Sequence, residues 1–370
     1  MQDELRRTGF AHIPTQKIVC VGKPMDLPLP LQTTYQELQQ LHSVMPTPSI
    51  EGSILKRTKG DNHYWVARKR AGKNVLETAI GPDTEEIRAR IEKAGKEQAA
   101  LKLWTRSASA CVATLQAGRC LAPDMTTGKL LAAIAKTGFF TAGGILGGTQ
   151  AFRHYPLMLS VDPPSTAFSM TGDVDLIAAN SVKLAGGSSG DPKGLALRLQ
   201  KLGIEMEVVF GMSEDQPPKW VIGGTIELEF LSSMSRDGEP RRRHAGIGES
   251  VQALRHLEFT FDGSRDAVSL YRSGVPIKVP APERYALHKL IVAQLRSGTF
   301  REKRRKDLDQ ASWLLSVLSE RRAYELWSAW DDLCRRGRKW RERVDASLEE
   351  RPDARASLDL VEDEFGPPAS

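Results

Sequence analysis

The stretch Gly172-Asp173-Val174-Asp175-Leu176 sets two acids among apolar neighbours. In an extended chain alternate side chains share a face, so both carboxylates point one way and Val174 and Leu176 the other. Two carboxylates about 7 Å apart along a strand repel unless cations lie between them. Oxygen donors of this kind suit Mg²⁺ (or Mn²⁺), which also takes substrate phosphate oxygens. A pair of such ions roughly 3.5–4 Å apart clamps the attacking and leaving oxygens of a phosphoryl transfer. A third acid is expected from a neighbouring strand. Thr225–Leu231 offers Glu227 and Glu229 on one face, and Glu229, followed by Phe230-Leu231, is the stronger candidate. Upstream, the turn Gly147-Gly148-Thr149 supplies backbone N–H groups, a hydroxyl and room for close approach, which suit β- and γ-phosphates. An isolated Asp-x-Asp is usually a solvated strand end. The glycine turn before it and the acidic strand after it favour a site.

Cations follow in the last third. Lys303, Lys306, Asp307 and Gln310 recur at i, i+3, i+4 and i+7, one helix face, beside an apolar stripe of Leu308, Ala311, Leu315 and Leu318. Lys289 lies one turn after Tyr285 on the preceding helix. Lysine is an effective point charge for polyphosphate, although a solvated basic face would have the same spacing. His288 reads as packed between helices rather than as a base, and His154 as a surface residue. Ser188 and Ser189, in LAGGSSGDPKG, belong to no Walker A motif and read as a flexible loop bordering the cleft.

A second basic cluster lies near the N-terminus. Lys56, Arg57, Lys59, Arg68, Lys69, Arg70 and Lys73 face a single acid, Asp61, with Tyr64 and Trp65 between them. Basic residues beside aromatics on a small sheet can grip an RNA or DNA backbone and stack a base. The alternative is a solvated hairpin whose Trp packs on the next helix.

The elements that must carry these residues are legible in outline. Thr33–Met45 predicts a helix among prolines. SILKRT, HYWVARKR and NVLETAI, separated by KGDN and AGK, predict a three-stranded meander. A helix then starts in a capping box of Asp83 and Glu86 and runs, with a fray at Gly95, to about Trp104. Strands are expected at SMTGDVDLIA, EMEVVF, GGTIELEFL and VPIKVP, with helices at LLAAIAKTG and ALRLQKLG. From Pro282 the chain reads as three helices, the third spanning RRAYELWSAWDDLCRRGRKWRERV. Asp345–Ser370, rich in acids, reads as a mobile tail. The expected organisation is an α+β protein: an N-terminal meander and long helix (1–105), a mixed-sheet core (106–281), a helical C-terminal part (282–344) and an acidic tail (345–370).

Composition excludes several classes. Of 370 residues 40% are apolar and 26% charged, with a net charge of +6, which fits a folded chain and not a disordered or collagen-like one. Four cysteines with no Cys-x-x-Cys pair argue against a disulfide framework or structural zinc. No stretch is long and apolar enough for a membrane span, and MQDELRRTGF has no apolar signal region, so a reducing cytoplasmic setting is expected.

The order Gly-Thr, Asp-x-Asp, later acidic strand resembles the polymerase-beta-like nucleotidyltransferase superfamily. The match is closer to a bacterial branch of uncharacterised nucleotidyltransferase-fold proteins. AGGILGGTQAF, MTGDVDL, LEFL, VPIKVPAPERYALHKLIVAQLR and KRRKDLDQASWLL carry the resemblance, over roughly half the chain. It implies a nucleotidyltransferase core. Gly147, Gly148 and Thr149 would hold the triphosphate. Asp173 and Asp175 would bind Mg²⁺ (or Mn²⁺), with Glu229 in a third place more often filled by Asp. Lys289, Lys303 and Lys306 would meet phosphates. Gln150 stands where relatives often carry His. The expected activity is transfer of an NMP from an NTP to an RNA, protein or small-molecule acceptor, with release of pyrophosphate. Two alternatives stand beside it: a nucleic-acid-binding protein with an inactive core, gripping RNA or DNA through Lys56, Arg57, Trp65, Arg68, Lys69 and Arg70, and a toxin-like transferase acting on tRNA or protein.

Overall fold

The computed structural model describes residues 24–71, 74–164, 169, 171–185, 194–209, 218–235, 238–296 and 301–369. The Ser188–Ser189 loop, Lys73 and Cys20 lie outside them.

The first helix, Leu29–Ser43, begins four residues earlier than expected. Pro28 and Pro30 start it, because a proline at the first turn gives up an N–H that has no helical partner. The meander forms as expected: β1 (Ser53–Lys59), β2 (Asn62–Ala71) and β3 (Asn74–Pro82) pair in antiparallel order. Lys59 pairs with Asn62 across a two-residue turn whose Gly60 has a φ of +61°, as tight hairpins require. The next helix, Glu85–Ala117, is longer than expected and passes through Gly95 unbroken. Its cap is Thr84, whose hydroxyl accepts from Ile87 N; Asp83 instead binds Lys56, Arg88 and the Trp65 indole. The second half of this helix buries Trp104, Ala108, Val112 and Leu115 against Tyr35 and Leu38.

The core sheet is mixed and seven-stranded. It contains β4 (Ile145–Leu146), β5 (Asp173–Ile177), β6 (Met206–Val209), β7 (Lys219–Ile222), β8 (Ile226–Ser233), β9 (Arg241–His244) and β10 (Glu249–Leu254). β8 runs parallel to β5 along one edge. Its other edge is shared, with β7 antiparallel on the first half and β10 parallel on the second. The alternation read in the sequence holds: Val174, Leu176, Leu228 and Phe230 are buried in one core with Leu130 and Ile134 of the Met125–Lys136 helix. A separate hairpin joins β11 (Arg265–Ser269) to β12 (Val275–Val279) and leads into the C-terminal helices. The molecule is therefore α+β with a mixed core sheet, as expected.

Helices Pro282–Leu295 and Arg301–Arg321 match the expected pair. Two corrections follow. The third expected helix is two, Ala323–Arg335 and Arg338–Glu350, broken at Gly337, whose φ of +119° a helix cannot hold. The acidic end is no mobile tail. It forms a helix, Pro352–Phe365, with Ala354, Leu358 and Val361 buried in the main core. The Trp330 and Trp327 indoles donate to Glu362 Oε1 and Gly366 O at 2.8 Å. Cys111, Cys120 and Cys334 are free and buried. Among the described residues no helix is long and apolar enough to cross a membrane.

Candidate active site

The parallel ladder between β5 and β8 sets the acids in register. Asp173 pairs with Glu227 and Asp175 with Glu229, so the same-face rule puts four carboxylates on one side of two adjacent strands. The backbone holds this edge firmly: Gly147 N donates to Asp175 O at 2.8 Å, and Asp173 N to Thr171 Oγ1 at 3.1 Å. A cleft of about 350 Å³ opens over it, lined by Gly148, Thr149, Asp173, Asp175, Glu229, Lys289, Lys303 and Lys306. Gly147 lies behind this wall, where a Cβ would stand 2.6 Å from Ile177 Cδ1.

The glycine turn fits Asp175 as closely as backbone allows. Gly148 has a φ of +56°, and a Cβ on it would fall 1.9 Å from Asp175 Oδ2. Two helices brace the turn from the opposite side. The Tyr285 hydroxyl lies 2.9 Å from both Gly148 O and Gln310 Oε1, donating to one of them. Gln310 Nε2 in turn lies 3.3 Å from Thr149 Oγ1. The expected polar face of the Arg301–Arg321 helix thus points at the turn.

The cations divide by role. Lys303 Nζ sits 2.9 Å from Asp173 Oδ2. Lys289 Nζ is 2.6 Å from Asp307 Oδ1, and Arg296 Nε is 2.5 Å from Asp307 Oδ2. Burial alone would raise the Asp307 carboxyl, but Lys289 and Arg296 outweigh it and hold it below the usual range. Burial and the neighbouring Lys289 lower the Lys306 ammonium. On the acidic side, burial and the Glu229 carboxylate push Asp175 up to about 6, against the pull of Lys289.

Sequence reasoning missed Lys219, whose Nζ lies 2.5 Å from Glu229 Oε1 and 3.0 Å from Glu227 Oε2. Burial would depress this ammonium, but its hydrogen bonds to the two glutamates raise it above its usual value. The signal was present. Gly223-Gly224 marks a hairpin, and counting back from the Ile222–Ile226 pair puts Lys219 opposite Glu229. Arg296 was missed as well; it lies beyond the helix's last turn, where periodicity gives no guidance.

Both histidines are buried. His288 borders the cleft, and burial with Lys289 beside it pushes it down to about 3, so it is a weak base. His154 is a correction: it is 6% exposed, not a surface residue, with Nδ1 2.9 Å from Gln150 O, and burial pushes it down to about 4.

The N-terminal basic cluster is apart from this cleft, and much of its charge is matched. Lys56 pairs with Asp83, Arg57 and Arg68 with Glu77, and Lys69 with Glu51. The half-buried Trp65 donates its indole N–H to Asp83 at 2.9 Å. Arg70 is exposed. The sequence count of one acid missed these partners because they lie outside the 55–73 window.

Among the described residues no three acidic, histidine or cysteine side chains already form a closed metal-ligand set. The available donors are the carboxylates of Asp173, Asp175, Glu227 and Glu229 on two strands, three of them engaged by lysines.

The chain belongs to the nucleotidyltransferase family, whose model matches residues 125–335. That span holds the core sheet, the cleft and the helices that line it. The crystal structure of an antigenic nucleotidyltransferase-like protein from Paracoccidioides brasiliensis is similar at 14% identity, covering 65% of this chain and 94% of that one with a TM-score of 0.37. No curated protein matches the chain.

Proposed function

We propose that the protein transfers a nucleoside monophosphate from an NTP to an acceptor hydroxyl in a divalent-cation-dependent reaction. The observation that carries this reading is the in-register acidic edge, which opens into the same cleft as Gly148-Thr149 and three lysines in a chain of this family.

The donor set fits Mg²⁺ or Mn²⁺. Mg²⁺ is typically held by one or two carboxylates plus substrate phosphates rather than by an all-protein cage, so Asp173 and Asp175 suffice as protein ligands. A bound cation would neutralise charge developing on the phosphates. The chain's own groups do the rest. Gly148 and Thr149 position the triphosphate tail, and Lys303 and Lys306 offer it positive charge. Lys289, tied to Asp307, fixes the cleft wall. The acceptor oxygen bonds to the α-phosphorus as the bond from that phosphorus to the β-bridging oxygen breaks, and pyrophosphate leaves. The acceptor proton passes to a carboxylate, with Glu229 the group assigned to it. Positioning and charge neutralisation supply most of the acceleration.

Calorimetry with Mg²⁺–NTP tests the assignment. Asp173→Asn and Asp175→Asn should each lose metal-dependent binding while melting cooperatively. Wild-type heats in both variants would exclude the site. Binding without turnover is the second reading, favoured by the Lys219 clamp on Glu229. Its signature is nucleotide binding in the wild type with no label transferred in a cell lysate.

A further inference from the structure

A second cleft, of about 740 Å³, lies beside the first, and Arg255 belongs to the walls of both. Arg255 follows β10 directly, and the opposite wall is the break between helices Ala323–Arg335 and Arg338–Glu350. That wall contributes Arg336, Arg338, Lys339 and Arg343, with Trp340 among them. Five cations thus face one acid, Glu258.

Pairing makes this cluster unlike the N-terminal one. Arg336 is held by Asp262 and Asp332, and Arg338 by Glu342. Among the described residues Arg255, Lys339 and Arg343 have no acidic partner. Arg343 Nη1 instead lies 3.1 Å from His256 Nε2 and from Lys339 O. Like charges gathered without counter-charges cost folding energy through self-repulsion, and an anionic ligand removes that cost. Guanidinium forks match phosphate oxygens in pairs. The Arg336 guanidinium stands 5.6 Å from the Trp340 ring centroid, and His256 packs edge-on to that ring at 4.2 Å. Aromatic rings and arginine planes are the surfaces on which unpaired bases stack.

We infer that this cleft binds a single-stranded nucleic acid and leads its end past Arg255 into the first cleft as the acceptor. The acceptor role rests on the proposed transfer reaction; the binding does not. Phe259 also packs edge-on to Trp340, which is partly buried; an acidic polypeptide would satisfy the charges and make no use of the part of the Trp340 ring that lines the cleft.

The test uses the full chain and a fluorescent single strand of about 15 nucleotides, as RNA and as DNA. Binding is followed by anisotropy across a salt series. The triple variant Arg255→Gln, Lys339→Gln, Arg343→Gln should bind both strands at least about tenfold more weakly, with the log–log salt slope reduced by about 2. The tighter of the two wild-type strands names the acceptor class. Unchanged affinity and slope would overturn the inference, as would polyglutamate competing as well as the strands do. A variant-free measurement guards against misfolding: 4-thiouridine RNA cross-linked to the wild type should label peptides around 255 and 336–343. Labelling confined to the 53–82 meander would also overturn it. Mg²⁺–NTP calorimetry on the same proteins separates the two proposals. Strand binding lost only in the triple variant, without nucleotide binding in the wild type, upholds the cleft and sinks the transfer reading. Nucleotide binding without strand binding does the reverse.

Discussion

At Gly148 the chain turns with a φ of +56°, and the space a side chain would need is taken by Asp175 Oδ2. Gly148→Ala should therefore act twice. Left-handed strain lowers stability by about 1–3 kcal/mol, and the methyl displaces the carboxylate. Denaturant unfolding should record the first effect and loss of Mg²⁺–NTP heat the second. A second residue-scale expectation concerns acid. His154 and His256 are both pushed down to about 4, by burial first and by neighbouring arginines after it. The unfolded chain takes up these protons near pH 6.5 and the folded chain only near 4, so stability is full above about 6.5 and falls as pH drops below it. For the buried His154 this amounts to on the order of 3 kcal/mol at pH 4. In urea melts from pH 8 to 4 the wild type should lose more stability than His154→Gln, by on the order of 3 kcal/mol. Parallel curves would refute it.

Elements were legible where local pattern and tertiary role agree. The meander shows alternation and turn residues, β5 shows acid alternating with apolar, and the helix at Pro282 shows both a start signal and a periodicity. Where pairing alone decides, the sequence was silent. β9 is Arg241-Arg242-Arg243-His244, with no apolar alternation, and it is a strand because β10 pairs with it. The last helix was misread because its acids outvoted the spacing of Ala354, Leu358 and Val361, which does mark a buried face. In the cleft, Asp173, Asp175, Glu229 and the glycine turn were readable from residue type and spacing, whereas Lys219 and Arg296 required knowing which strand or helix end lies opposite. The helix pair Pro282–Leu295 and Arg301–Arg321 yields a prediction of its own. Asp307 is 3% exposed and is shared by Lys289 and Arg296. Asp307→Ala leaves a buried cation unpaired and should cost about 3–5 kcal/mol, measured by urea unfolding. An unchanged midpoint would mean that the three groups do not act together.

For the whole molecule, the C-terminal helix closes the structure rather than trailing from it. Leu358 and Val361 are buried in the main core, and Trp330 beneath them is fully covered. Ending the chain after Arg351 should remove about 1.5–3 kcal/mol for each of these two side chains and drop the thermal midpoint by several degrees. A truncated chain that melts like the full one would restore the view of this end as a dispensable appendage.

The two lysines standing on the acidic edge have a consequence for loading order. Lys303 on Asp173 and Lys219 on Glu229 mean that the acidic edge has counter-ions supplied by its own chain. A lone divalent ion must evict an ammonium and leave it stranded beside fresh positive charge. One that arrives chelated to a triphosphate hands the evicted ammonium a new anion to hold. Titrated separately, ion and nucleotide should each bind poorly, and each should sharpen the affinity for the other by the same factor. Under the proposed function, the site would respond to the chelate and not to either half.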